Sequence, residues 1–87
     1  MFNVESYVDK VDERYLKSLV RYGTERTPVG DFLTAVLRND LQMSLARADE
    51  VGRSQLLHIA QFVYNEMPAL CWGSKQKVRD WVYPEQA

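Results

Sequence analysis

The feature that most constrains this chain is a spacing. In NVESYVDKVDERYLKSLVRYG, residues 3–23, the apolar side chains Val4, Tyr7, Val8, Val11, Tyr15, Leu19 and Tyr22 recur every three or four residues, and Leu16 and Val20 widen the stripe. That period lines up one apolar face of an α-helix and leaves the charges on the other, with Glu13 and Lys17 in the favourable i, i+4 order. The segment predicts a helix capped by Asn3, whose side chain can accept from an orphan amide, and ended by Gly23 in a left-handed conformation. No Val-, Ile- or Thr-rich alternating run bounded by turn signals occurs, so strands are not expected. The chain reads as all-α.

TPVGDFLTAVLRND predicts a second helix, with Thr27 as N-cap and Pro28 at the first helical position, where its missing donor costs nothing. Phe32, Leu33, Val36 and Leu37 form its apolar face. A glycine at position 30 weakens a helical start by about 1 kcal/mol, which fits either a close backbone contact or an irregular first turn. Asn39-Asp40 breaks this helix, and Asp40 caps a short third one, LQMSLARA; a continuous helix through Asn39 is the alternative.

Asp49 caps a fourth helix running from about Glu50 to Glu66 and stopping before Pro68, because the residue preceding proline is pushed out of the helical region. Leu56, Ile59, Ala60, Val63 and Met67 make one stripe, while Leu57, Phe62 and Tyr64 make the helix apolar on nearly every side, as expected of a central helix. Ser74 caps a last helix with Val78, Trp81 and Val82 facing inward. Gly73 lets the chain reverse, Leu70 and Trp72 pack beneath the reversal, and Pro84 discourages extension. The expected architecture is a compact bundle of four to five short helices in a single domain over residues 1–87, with 1–3 and 84–87 loose.

At 87 residues this is a small domain that must be stabilised by disulfides, a metal, association or dense packing. Cys71 and His58 are the only residues of their kinds, so an intramolecular disulfide, a cysteine-rich zinc site and a two-histidine metal motif are all excluded. Dense packing or self-association remains, and a 46% hydrophobic content supplies the material and argues against disorder. The formal net charge of −1, with both signs interspersed, lacks the basic excess of a nucleic-acid binder. No apolar run approaches the ~20 residues of a membrane span, and the N-terminus has no signal-peptide pattern. A cytoplasmic protein with a reduced thiol is expected.

A nucleophilic Cys71 would need a base beside it and a lowered pKa, and only the tertiary fold could bring His58 there. Asp31, Asp40, Asp49 and Glu50 invite a carboxylate site, but three of them stand where helices start, and capping accounts for them. Phosphate-loop, nucleophile-elbow and zinc-protease motifs are missing. No catalytic, cofactor-binding or metal-binding residue is therefore expected, and the expected function is a non-catalytic interaction module. Lys75, Lys77 and Arg79 oppose the dipole of the last helix by a few tenths of a kcal/mol, marking either a functional surface or a tolerated solvated face. With Tyr7, Tyr15 and Tyr22 as exposed aromatics of the first helix, they form the candidate partner-binding surface. The alternative is a helix-turn-helix regulator built on the second and third helices, which offers bases only Gln42, Ser44 and Arg47.

The strings PVGDFLTAVLRNDL, RADE, YNEMPALCWGS and KVRDW resemble a group of small helical proteins in bacterial, phage, prophage and plasmid sequences. Phe32-Leu33, Asn39-Asp40, Tyr64-Asn65 and Cys71-Trp72-Gly73-Ser74 carry the resemblance, which covers Pro28 to Trp81. It implies a compact helical fold and an association with mobile elements, and no activity or ligand. Such an origin fits a binder of a host protein, with a homodimer as the other expected assembly.

Overall fold

Side chains that accept from free backbone amides set most of the α-helix starts. Asp40 Oδ1 accepts from Met43 N–H at 3.0 Å, Asp49 Oδ1 from Gly52 N–H at 2.8 Å and Ser74 Oγ from Lys77 N–H at 3.1 Å. These caps open α3 (Leu41–Arg47), α4 (Glu50–Glu66) and α5 (Lys75–Val82). They are preceded by α1 (Glu13–Glu25) and α2 (Asp31–Leu37), and single 3-10 turns lie at Glu5–Tyr7, Ala69–Cys71 and Pro84–Gln86. The computed structural model describes residues 2–86. No strand occurs among them, and the chain is a small all-α single-domain bundle. Its Cα radius of gyration, 11.9 Å, matches the ~12 Å of a compact chain of this length. The break between α2 and α3 falls at Asn39, in a left-handed conformation with φ 63°, so the continuous-helix alternative does not hold.

Two helix starts differ from expectation. The first segment is not one helix: it makes a 3-10 turn at Glu5–Tyr7, and α1 begins only after Asp12. Asp12 Oδ1 accepts from Arg14 N–H at 2.8 Å, while its own N–H donates to Gln55 Oε1 of α4 at 2.7 Å. A local cap and a long-range bond thus fix the break, and Asn3 caps nothing; its N–H donates to Glu66 Oε1. Gly23 does not end α1, which runs on to Glu25 and closes at Arg26 with φ 59°. Phe2 occupies the space that a Cβ at position 23 would need. Likewise α2 starts at Asp31 with Gly30 as N-cap, leaving Thr27 and Pro28 in the preceding connection; Gly30 has neither a close contact nor a place in the helix.

Leu19, Tyr22, Leu37, Ile59, Phe62 and Cys71 are fully enclosed. Four of the seven residues of α2 are buried, and this short helix packs on α3, α4 and α5. It sits close to α4 because Gly52 has no side chain: a Cβ there would lie 2.9 Å from the Phe32 ring. α4 buries Ile59, Phe62 and Val63 but presents the apolar Leu57 and Tyr64 to solvent, so it is not the enclosed central helix its composition implies. Of the residues expected to be loose, Met1 and Ala87 lie outside the described residues, and Phe2 packs edge-on to Phe62 with ring centroids 6.4 Å apart.

The reversal near the C-terminus is knit by four bonds from distant parts of the chain. Tyr22 Oη donates to the Cys71 carbonyl at 2.7 Å, and Trp81 Nε1–H donates to the Tyr22 carbonyl at 2.7 Å. Gly73 N–H donates to the Leu37 carbonyl at 2.7 Å, from a φ of +118° that favours glycine. Arg26 stacks its guanidinium 3.8 Å from the Trp81 ring centre and donates to the Trp81 carbonyl at 3.0 Å. Leu70 is not beneath the reversal, being 76% exposed. Trp72 is half-buried against Tyr64, and its enclosed indole N–H has no partner among the described residues.

Candidate functional site

The three tyrosines expected to share a surface do not form one. Tyr22 is fully buried in the corner just described. Tyr7 is buried edge-on to Phe62 at 5.1 Å, with its hydroxyl accepting from Asn65 Nδ2. Tyr15 is half-buried against Phe32, and its hydroxyl donates to Asp49 Oδ1 at 3.1 Å. Tyr15 and Tyr22, seven residues and two turns apart on α1, face inward together, Tyr7 turns inward from the preceding segment, and each polar tip is satisfied by another element. Burial first, then the hydrogen bond to Asp49, holds the Tyr15 hydroxyl above its ordinary pKa. Asp49 is held below its ordinary value by the Gly52 amide and then by Tyr15.

What opens to solvent on the first segment is apolar. Because the chain turns at residues 5–12 instead of running straight into α1, the two stretches leave a groove of about 590 Å³ between them. Val4, Val8, Val11, Leu16 and Val20 line it, and Glu13, Lys17 and Arg21 stand along the α1 side. Val8 is 57% exposed there, whereas Val11 and Leu16 are buried at the floor. The valines and Leu16 all belong to the periodic stripe of the sequence; the signal for the groove was Asp12, a capping residue inside an otherwise continuous pattern.

The basic cluster is divided by the geometry. Lys75 and Arg79, one turn apart on α5, line a cleft with Gln76 and with Arg38 at the end of α2. Lys77 instead extends its ammonium towards the Ala69 carbonyl at 3.4 Å. Arg38 is the functional candidate that sequence spacing could not find, since it lies on another helix and joins α5 only through the α2–α5 packing. On α3, Gln42 and Arg47 are exposed, but Ser44 is buried and donates its hydroxyl to the Asp40 carbonyl at 2.7 Å, so no base edge can reach it.

The thiol of Cys71 is enclosed, and burial pushes its pKa up to about 11, the opposite of an activated nucleophile. His58 pairs its ring with Gln61, one turn further along α4. Asp40 and Asp49 are occupied as caps, and no group of three metal-ligating side chains forms among the described residues. No helix there is long and apolar enough to cross a membrane. No protein-family model, curated protein or solved structure matches the chain.

Proposed function

We propose that this chain is a non-catalytic protein-binding module whose contact face is the groove between residues 4–11 and α1. The observation that carries this reading is the groove itself, an open apolar concavity of about 590 Å³ in a chain of 87 residues. Its volume falls within the ~300–1,000 Å³ typical of ligand clefts, and its lining is mostly apolar. Along its edge Lys17 pairs with Glu13 at 3.7 Å, and Arg21 stands as the excess cation. That excess selects a partner segment whose apolar side chains are flanked by Asp or Glu, in the manner of an amphipathic helix laid into a groove. The reading commits to a protein of the host cytoplasm as the occupant, consistent with an accessory protein of a mobile element.

The test is capture from nuclease-treated host lysate by tagged wild type and by Val8→Asp, with Lys77→Gln as a control of unrelated location. One stoichiometric protein partner is expected with wild type and the control, lost in Val8→Asp while its urea midpoint stays unchanged, and cross-linked to Lys17 or Arg21 neighbours. A concentration-dependent dimer in sedimentation, abolished by Val8→Asp and with no lysate partner, would replace the host protein by a second copy. Nucleic acid retained without nuclease, indifferent to Val8→Asp, would overturn the reading in favour of a regulator.

A further inference from the structure

We propose that Arg38, Lys75 and Arg79 form a binding site for an amphipathic oxyanion, a phosphoryl or carboxylate group attached to a compact apolar body. The open surface cleft they share with Gln76 measures about 310 Å³, and all four lining side chains are exposed hydrogen-bond donors. Neither Arg38 nor Lys75 has an ion-pair partner among the described residues. Arg79 has Asp80 at 3.8 Å, and that carboxylate is also held by the Gln76 amide at 3.0 Å. Three cations from two helices therefore line one cleft with one engaged carboxylate at its rim, and Arg38 borders Asp31 and Asp40 on its other side. Like charges brought together repel, and Lys75 in addition sits at the positive end of the α5 dipole. An oxyanion relieves both costs at once, and the arginines can grip it through paired N–H groups.

The apolar part of the ligand follows from the adjoining slot. Arg38 and Arg79 also line a space of about 170 Å³ walled by Pro28, Val29, Val78, Val82 and Tyr83. A ligand with its negative group among the cations has this slot for a ring or branched chain. A long polyanion fits less well, because beyond Arg38 the surface changes character: Asp31 and Asp40 line the next cleft together with Arg47. The site shares no lining residue with the groove above and does not rest on that reading.

Phenyl phosphate is the probe, titrated at low salt into isotope-labelled full-length protein and followed by NMR. Saturable shifts at Arg38, Lys75, Val78 and Val82 are expected, with inorganic phosphate binding more weakly at the cationic residues alone. Arg38→Gln should weaken binding about tenfold or more, as the loss of a charge-assisted pair implies, while Lys77→Gln, the same change in charge, should leave it intact. Equal losses from both variants, or shifts that never saturate, would show only diffuse attraction and overturn the site. A phosphotyrosine peptide binding more tightly than phenyl phosphate would place the oxyanion on a protein; equal or weaker binding would place it on a small molecule.

Discussion

The two ends of α1 are held by opposite means. At its C-terminal end, Tyr22 and Arg26 bond to Cys71 and Trp81 across some fifty residues of chain, with the Tyr22 ring enclosed and Trp81 half-buried beside it. At its N-terminal end, the preceding segment is held by backbone bonds to Gln55 and Glu66 and by Tyr7 and Val11 dipping into the core. Val8, between those anchors, opens to solvent at the groove, while Val4 and Val20 at its walls are half-buried against the core. A region closed by directional bonds admits one arrangement, and its bonded groups are already engaged. A region closed by non-directional apolar contact can exchange water for another protein at little cost to the fold. The corner is architecture, and the groove is available surface.

The strongest way to break this contrast is Tyr22→Ala, which removes a buried ring and should cost about 3–5 kcal/mol in urea unfolding, a large share of the ~5–15 kcal/mol that holds such a domain together. Tyr22→Phe isolates the hydroxyl and should cost about 1–3 kcal/mol, because the enclosed Cys71 carbonyl loses its donor. Gly73→Ala should fall in the same ~1–3 kcal/mol range, from the φ of +118° that a side chain resists. A neutral Tyr22→Phe would mean that packing alone closes the corner and would erase the distinction between the two ends. Ser74→Ala should cost about 1 kcal/mol as a lost cap. Val8→Ser, at the groove, should shift stability by less than about 0.5 kcal/mol.

The same contrast has a pH signature. Burial raises the folded-state pKa of both Cys71, to about 11, and Tyr22. Each folded value lies above the unfolded one, so the unfolded chain loses these protons first. The Cys71 contribution is fully present below the ordinary thiol value near pH 9 and is lost as the pH rises through about 11, whereas that of Tyr22 begins to be lost only above its ordinary value near pH 10. Urea midpoints should hold steady between pH 7 and 8 and fall between pH 9 and 11, and Cys71→Ala should flatten the first part of that fall.

What the amino-acid order determined by itself is part of what depends on neighbours within about four residues; the equally local signals at Asn3, Gly23 and Thr27-Pro28 gave way to other caps. The all-α class, the caps at Asp40, Asp49 and Ser74, the stop of α4 before Pro68 and the turn at Gly73 are bonds or steric conflicts between close residues, and they stand in the structure as the sequence implies. The stripe of the first segment also showed which residues are apolar. It could not show that Asp12 breaks the helix, because that break is completed by Gln55 of α4. Nor could it separate Tyr22, sealed in the corner, from Val8, open on the groove: both belong to the same periodic set, and burial depends on what packs opposite. The basic cluster makes the same point. Lys75, Lys77 and Arg79 are adjacent in the chain, yet α2 contributes Arg38 beside two of them, while the third turns to Ala69. Local chemistry chose the elements; only long-range packing decided which of their faces remained for function.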